Sequence, residues 1–289
     1  MDTMPADDKK GDALNAQRFH MLEDIAKELA GDVVFPTAFD VITRLRKALH
    51  DPSLSLEHLA DIIEVEPLIS VRLIGLANSA AYSRRGPEVR GVKAAVQLLG
   101  LNAVRSTAMA IAMNQLLRSK ELVAFTDLAN GLWQHSLHTA AAAEVLARRL
   151  TSINPDEALL AGLVHDLGAF YMLYRASQYS ELRLRPETVK YLIIQWHESI
   201  GHSLLIALGL PETIADAMRD HDKPRPAAPT PRTLTDLVYA GNVLAGGMLE
   251  WLHHDADSAV ADEFPLGENY LALKEEVDSR LKEMRSVFG

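Results

Sequence analysis

Cysteine is absent from this chain of 289 residues, which excludes disulfide bonds, thiolate catalysis and zinc sites built on cysteine. Aromatic residues make up only 6% of the sequence, whereas alanine and leucine are abundant, and this favours helices over strands. No uncharged apolar run reaches the roughly 20 residues that a membrane-spanning helix needs. The first thirty residues also lack the apolar segment of a secretory signal. We therefore predict a cytoplasmic protein that makes no membrane contact.

The chain also has fewer basic residues than acidic ones. The chain has 29 lysines and arginines against 39 acids, which gives a formal net charge of -10. This excess of acids argues against broad binding of nucleic-acid phosphates. Hydrophobic residues account for 48% of the chain, which is enough to bury a sizeable core in one large domain or two closely packed ones.

Apolar residues recur with helical spacing over most of the chain, and no segment shows the alternation of a strand. A helix start is clearest at Asn154-Pro155, because asparagine caps a helix well and proline suits its first position, and this helix is predicted to carry Ala158 to Tyr174. Pro36 is predicted to open an earlier helix. Gly100 and Asn102 are the predicted stop and start signals between helices over Val92–Leu99 and Ala103–Leu117. The fold class predicted from these patterns is all-α, in two packed helical lobes. We expect residues 1–12 to be disordered, 13–125 to form the N-terminal lobe and 126–289 the second lobe. The Pro-rich residues 223–231 are predicted to be an extended connector.

Six of the eleven histidines lie between His135 and His221, and His165-Asp166 interrupts an otherwise apolar segment. Burying an imidazole beside a carboxylate costs several kcal/mol unless both find partners. Helical bundles build internal metal sites by placing a ligand on each of several helices. Imidazole and carboxylate together suit Fe, Mn, Zn or Co. The predicted metal ligands are His135, His165, Asp166, His197 and His221. The alternative is that His165 and Asp166 form an architectural hydrogen-bonded pair.

Longer motifs give this cluster a family context. The first half contains Glu66-Pro67-Leu-Ile-Ser-Val-Arg72 and Asn78-Ser79-Ala-Ala-Tyr82, and the second contains Leu132-Trp133-Gln134-His135-Ser136 and Gly162-Leu163-Val164-His165-Asp166-Leu167-Gly168. Together with His197-Glu-Ser-Ile-Gly201 and His221, these motifs resemble the HDOD family, a group of bacterial signalling domains related to the HD phosphohydrolases. The resemblance covers residues 35–246.

This resemblance implies an HD-like helical fold and a non-catalytic regulatory role. The module would bind a signalling protein partner or a small ligand and would retain a vestigial metal site. The alternative is a metal-dependent phosphohydrolase acting on a nucleotide or cyclic dinucleotide. Asn242 stands where HD enzymes place a final metal-binding aspartate, and no Gly-Tyr-Pro motif follows His221. Asp166 is therefore expected to be the one carboxylate of the site, which favours the non-catalytic reading.

Two further sets of residues are candidates for binding. Arg84, Arg85 and Arg90 occupy a loop after Tyr82 and can bind a phosphate or an acidic partner, although a solvated loop explains them equally well. His202 lies about 140° around the helix from His197, so we predict a structural role for it. We expect His197 itself to lie at the rim of the cluster.

Overall fold

The computed structural model describes residues 12–30, 55–64, 67–82, 88–247 and 266–288. Every regular element within these ranges is helical, which confirms the predicted all-α class. The predicted helix from Pro36 and the loop residues Arg84 and Arg85 lie outside them, as do residues 1–11. The α-helices are α1 (Asp12–Ala30), α2 (Leu56–Glu64), α3 (Pro67–Ala77), α4 (Val92–Leu117), α5 (Thr126–Leu150), α6 (Pro155–Val164), α7 (Leu167–Ala176), α8 (Ser180–Arg183), α9 (Pro186–Ala207), α10 (Glu212–Ala217), α11 (Leu234–Leu244), α12 (Glu268–Leu271) and α13 (Lys274–Phe288). A 3₁₀ helix at Lys120–Phe125 joins α4 to α5.

Helix α5 is the central element of the fold. Its Ala-rich surface packs against α6, α11 and α13, and almost all of its residues from Leu137 to Ala147 are buried. Small side chains let neighbouring backbones approach closely. A Cβ atom on Gly162 of α6 would lie 2.8 Å from the Cα of Ala140, and one on Gly241 of α11 would lie 3.0 Å from the carbonyl oxygen of Thr139. These contacts fix α6 and α11 on α5.

Helix α4 is 26 residues long and contains an apolar window of 18 residues. By length and composition alone it resembles a membrane span, but 67% of that window is buried inside the fold. Gly100 interrupts its helical geometry with φ 76° and ψ 179°. This confirms the predicted break between two helices, and glycine suits the position because a positive φ strains other residues.

The two ends of the described chain pack on different parts of the molecule. Helix α1 lies against α7, α8 and α9, where Arg175 Nη1 donates to Glu28 Oε1 at 2.7 Å. Helix α13 lies against α3, α4 and α5, and Asn114 Nδ2 donates to the carbonyl oxygen of Phe288 at 3.1 Å. Helix α5 starts at Thr126, where the sequence placed the start of the second lobe. The division into lobes stays a prediction.

The predicted helix from Ala158 to Tyr174 is wrong in one respect, because it is broken in the middle. Helix α6 ends at Val164, and α7 begins at Leu167. Asp166 between them has φ -103° and ψ 17°, outside helical geometry. The break turns α7 towards α9 and leaves His165 and Asp166 at the junction of the two helices.

Candidate metal centre

Four helical regions bring their polar side chains together at the α6–α7 junction. His135 comes from α5, His197 from α9, and His221 from the turn after α10. They converge on the carboxylate of Asp166, with ring Nε2 atoms 3.9, 3.6 and 3.3 Å from its oxygens. His165 Nε2 lies 3.3 Å from the same carboxylate. All five side chains chosen from the sequence therefore meet at one point.

Asp166 divides these imidazoles into two pairs. Its Oδ2 atom faces His135 and His165, whose Nε2 atoms are 3.2 Å apart. Its Oδ1 atom faces His197 and His221, whose Nε2 atoms are 3.4 Å apart. Each pair forms with Asp166 a triad whose ligand atoms all lie within 4.8 Å of one another. Ligand atoms bound to one ion at about 2.1 Å lie roughly 3 to 3.4 Å apart, which is close to these separations.

Backbone carbonyls orient three of the four rings. The Nδ1 atoms of His165, His197 and His221 donate to the carbonyl oxygens of Gly162, Ile193 and Met218, at 2.8, 2.7 and 2.5 Å. A hydrogen bond of this kind fixes the ring and leaves Nε2 to face the interior, as in metal-binding histidines generally. The orientation of the rings therefore suits ligation through Nε2.

The contact between α7 and α9 is made by backbone. A Cβ atom on Gly168 would clash with the carbonyl oxygen of His197 and would lie 2.7 Å from the backbone nitrogen of Gly201. Gly168 follows Asp166 by two residues, and His197 lies one turn before Gly201 on α9. The glycine at 168 thus lets α9 approach closely enough for His197 to reach Asp166.

His197 is not at the rim, contrary to the sequence prediction. Its side chain is only 2% exposed, because α7 covers it through the Gly168 contact. At the edge of the cluster lies Glu198, which is 24% exposed and whose Oε1 atom is 3.7 Å from His221 Nδ1. The edge of the cluster is therefore acidic.

A second carboxylate, which the sequence analysis missed, completes the cluster. Asp222 Oδ2 lies 3.3 Å from His197 Nε2 and 3.4 Å from His221 Nε2. The expectation that Asp166 is the one carboxylate is wrong. The available signal was the dipeptide His221-Asp222, which repeats the His165-Asp166 pair. We refer to His135, His165, Asp166, His197, His221 and Asp222 as the His–Asp cluster.

Asn242 supports the cluster from α11. Its Nδ2 donates to the carbonyl oxygen of His221 at 2.8 Å and to Asp222 Oδ1 at 2.9 Å. Because both of these oxygens can only accept, it is the Nδ2 atom of Asn242, and not its Oδ1 atom, that faces them. The amide thus leaves Asp222 Oδ2 directed at the histidines. Asn242 orients a carboxylate of the cluster, whereas the sequence suggested that it merely replaces one.

Buried charges of opposite sign shift the ionisation of the cluster. Burial raises the pKa of Asp166, but His165, His221 and His197 together lower it well below its ordinary value. Burial lowers the pKa of His165 to about 3, because the cost of burying the charged imidazole exceeds the stabilisation that Asp166 gives to it. Burial also opposes protonation of His221, yet Asp222 and Asp166 raise its pKa to about 10. Against the opposing effect of burial, His221 and His197 also hold the pKa of Asp222 far below its ordinary value. Without a bound ion, both carboxylates are therefore anionic at neutral pH, His165 is neutral and His221 is protonated. An ion bound by His221 would displace that proton.

The residues present fit a transition-metal ion. Both oxygens of Asp166 and the Oδ2 atom of Asp222 are buried and have no hydrogen-bond partner among the described residues. Such unpaired buried oxygens are costly without a cation or donor. Nitrogen and carboxylate ligands with oriented rings suit Fe, Mn, Zn or Co. The donors can hold one ion in either triad, or one in each with Asp166 between them.

Comparison with known proteins places the chain in a family. A family model of the HDOD domain matches residues 35–224, about two-thirds of the chain. The chain belongs to the HDOD domain family. The resemblance inferred from the sequence reached residue 246, and the matched HDOD region ends at 224. Among curated proteins, none matches the chain significantly.

Several solved structures share the fold of this chain over nearly its whole length. A provisionally named metal-dependent phosphohydrolase from Shewanella amazonensis is 24% identical, with 95% of this chain and 100% of that one covered and a TM-score of 0.71. An HDOD domain protein of unknown function from Geobacter sulfurreducens is 22% identical, with 94% and 98% covered and a TM-score of 0.57. A provisionally named signal transduction protein from Marinobacter aquaeolei is also 22% identical, with 98% and 67% covered and a TM-score of 0.57. At these identities the similarity establishes the fold alone.

Arg90, the described member of the three arginines proposed from the sequence, is not part of this centre. Arg90 lies in the connection before α4, and its Nη2 atom pairs with Glu88 Oε2 at 2.9 Å on a side chain that is 82% exposed. His202 pairs with Asp216 at 3.0 Å on the outer side of α9. The structure thus separates both from the His–Asp cluster.

Proposed function

We propose that this chain is a non-catalytic HDOD regulatory module that holds a transition-metal ion in an enclosed site. The observation that carries the proposal is the burial of the ligands. The side chains of His135, His165, Asp166, His197 and His221 are each exposed by 2% or less. Structural metal sites are closed by protein ligands, whereas catalytic sites keep a position open for water or substrate. Burial of this degree favours a structural or regulatory ion.

The proposed ion is Fe, Mn, Zn or Co, and its partners are the two triads that share Asp166. In an open site an ion of this class supplies a Lewis acid that activates water. In this chain the protein residues have three separate tasks. The imidazoles present Nε2, Asp166 and Asp222 balance the positive charge, and Asn242 keeps Asp222 in position.

The test of the ion is its stoichiometry in protein purified without chelator or nickel affinity. We expect elemental analysis to find bound transition metal in the wild type and a large loss in Asp166→Asn. The matched control is His202→Gln, which removes an imidazole from α9 outside the cluster and should retain the metal. Metal-free wild-type protein, or equal metal content in both variants, would contradict the proposed ion.

One observation favours a second candidate, a metal-dependent phosphohydrolase acting on a nucleotide or cyclic dinucleotide. Asp222 supplies the additional carboxylate that the sequence analysis did not identify, and its side chain is 10% exposed, more than any other in the cluster. Carboxylates balance the charge of a catalytic ion and hold the water that it activates. With Asp222 in the cluster, the number of carboxylates no longer argues against catalysis. The argument against catalysis is the burial of the ligands, which leaves no open position for a substrate in the part of the chain that the structure describes.

Hydrolysis assays separate the two candidates. Metal-loaded wild type should not turn over cyclic-di-GMP or p-nitrophenyl phosphate with added Mn, Fe or Co. Steady turnover that Asp166→Asn abolishes and His202→Gln leaves intact would establish the hydrolase instead.

The regulatory role requires a partner, and we propose a signalling protein or a small ligand in the cytoplasm. The partner class follows from the resemblance to signalling domains and from the acidic net charge of -10, which disfavours nucleic acid. A pull-down with the wild type and the metal-free Asp166→Asn variant tests it. A partner retained only by the metal-loaded protein is the expected result.

A further inference from the structure

Helix α1 is attached to the rest of the fold through one face. Leu14, Met21 and Ile25 belong to the apolar core and are each exposed by 1% or less. They follow one another at intervals of seven and four residues, which places them on one side of the helix. Phe19, between them in sequence, is 66% exposed. The surface of α7, α8 and α9 that receives this face is called the α1 groove below.

Two acids one turn apart on α1 make its charged contacts with the groove. Glu28 accepts from Arg175 Nη1 at 2.7 Å and from the hydroxyl of Tyr171. Asp24 accepts from the hydroxyl of Tyr179, and its Oδ2 atom lies 3.9 Å from Arg175 Nη2. Within the described ranges, these two acids are the ones that form ion pairs with Arg175. The groove therefore presents its donors to carboxylates spaced four residues apart on a helix.

The groove and the helix that fills it differ in their relation to the family. Helices α7, α8 and α9 lie within the matched HDOD region 35–224, whereas α1 precedes that region. The groove is thus a surface of the HDOD domain itself. Its donors are matched to acids that come from outside the domain.

Helix α1 is also held by few buried side chains. Its 19 residues place three side chains in the core among those whose burial the structure describes, whereas the 15 residues of α13 bury five. Elements with few buried contacts detach at the lowest cost in free energy. Of these two terminal helices, α1 is therefore the one that leaves its site more readily.

We propose that the α1 groove is a docking site for an acidic amphipathic helix of a partner protein, and that α1 fills the groove until this helix displaces it. The partner helix carries two carboxylates four residues apart and apolar residues on the same face, as α1 does. Laying the apolar face of a helix into a groove is a common mode of recognition. The inference names a partner surface for the proposed regulatory module and rests on that proposal for its biological role alone.

A fluorescently labelled peptide of residues 12–30 is the probe, and its anisotropy measures binding to the full chain. The chain's own α1 competes with the peptide, so the wild type should bind it weakly. Glu28→Lys in the chain places a cation against Arg175 and should free the groove, which tightens peptide binding about tenfold. The matched control is Glu23→Lys, because Glu23 pairs with Lys27 on the exposed side of α1. It makes the same change of charge and should leave peptide binding unchanged.

A second peptide that carries Glu28→Lys tests the specificity of the groove. It should bind the Glu28→Lys chain at least about tenfold more weakly than the unmodified peptide does. Met21→Ala in the chain weakens the docking of α1 through its apolar face and should also tighten binding of the unmodified peptide.

Equal binding of the unmodified peptide by the Glu28→Lys and Glu23→Lys chains, or equal binding of the two peptides, would overturn the proposal. Elemental analysis of the same samples separates this outcome from failure of the metal centre, because the contacts of the groove include no residue of the His–Asp cluster.

Discussion

Two buried polar clusters lie on the same helix, α5, and they satisfy their charges differently. Glu144 is 1% exposed, and its two carboxylate oxygens accept from Arg280 Nε at 2.7 Å and Arg148 Nη2 at 2.6 Å. Nine residues earlier, His135 belongs to a cluster in which both oxygens of Asp166 lack a hydrogen-bond partner among the described residues. The carboxylate of Glu144 is satisfied by two guanidinium hydrogen bonds, whereas that of Asp166 has only the charge of imidazoles whose Nε2 atoms lie 3.3 Å or more away.

This difference separates a structural ion pair from a binding site. A buried carboxylate that is fully paired needs nothing more from its surroundings, although removing one partner is costly. A buried carboxylate that accepts no hydrogen bond keeps its oxygen lone pairs free to coordinate a cation. Imidazoles whose Nε2 atoms face the same point can coordinate that cation too. Unpaired buried oxygens therefore identify a candidate site more reliably than burial of charge does.

The largest effect is expected for the paired cluster, which consists of Glu144, Arg280 and Arg148. Arg280→Met should lower the free energy of unfolding by about 3 to 5 kcal/mol, because it leaves Glu144 buried with a single cation. Denaturant titration measures the change. The control is Arg149→Met, which removes an exposed ion pair between the same two helices, at 2.9 Å from Glu276, and should cost about 1 kcal/mol or less. We also expect the metal content to be unchanged in both variants. Equal losses of unfolding free energy in Arg280→Met and Arg149→Met would contradict the distinction between the two clusters.

A somewhat smaller effect is expected for the backbone contact beneath the unpaired cluster. Gly168→Ala places a methyl group against the carbonyl oxygen of His197 and the backbone of Gly201. Separating α7 from α9 should cost about 3 kcal/mol of stability, as overpacking does, and should also reduce metal content. Gly75→Ala on α3 is the control, because a Cβ atom there meets nothing within 4 Å. A stable Gly168→Ala protein with full metal content would show that this contact does not position His197.

The orientation of Asp222 gives the next prediction. Asn242→Leu removes both hydrogen bonds that hold Asp222 and His221, so metal affinity should fall about 10- to 100-fold, as for other outer partners of metal ligands. Competition with a chelator of known affinity measures the change. An unchanged affinity would mean that Asp222 is not a ligand and that Asp166 serves alone.

The smallest effect belongs to the edge of the paired cluster. The hydroxyl of Tyr82 donates to Asp156 Oδ1 at 2.5 Å, and its ring lies 5.9 Å from the guanidinium carbon of Arg280. Tyr82→Phe keeps the ring and removes the hydrogen bond, so we expect a loss of about 1 kcal/mol in unfolding free energy. Tyr174→Phe, at a half-buried position outside this cluster, is the comparison. A loss near that of Arg280→Met would mean that the hydroxyl stabilises the whole ion-pair network.

Much of this molecule follows from local sequence chemistry. Helical spacing predicts the all-α class, and the Asn154 cap is present, with its Oδ1 atom accepting from the backbone of Asp156 at 2.8 Å. The spacing of the histidines along separate helices indicates which side chains meet at Asp166. These features are predictable because each depends on a few neighbouring residues or on a known family pattern.

Other features depend on tertiary contacts that no local pattern reports. The break at Asp166 interrupts a continuous apolar helical pattern, and packing against α9 accompanies it. The role of Asp222 depends on Asn242, 20 residues later, which turns one oxygen away from the histidines. The burial of His197 depends on the close approach of Gly168. None of these could be inferred without the positions of α7, α9 and α11.

The ligands of the His–Asp cluster are far apart along the chain. His135 and His165 are 30 residues apart, and His197 and His221 are 24 residues apart. A bound ion therefore closes loops of these lengths, as a disulfide does, in a chain that has no cysteine. Cross-linking a loop of about 30 residues restricts the unfolded chain by an entropy equivalent to roughly 3 to 4 kcal/mol in the chain-entropy model. One reversible ion would thus act as a topological cross-link whose presence depends on metal supply and not on the oxidation of thiols.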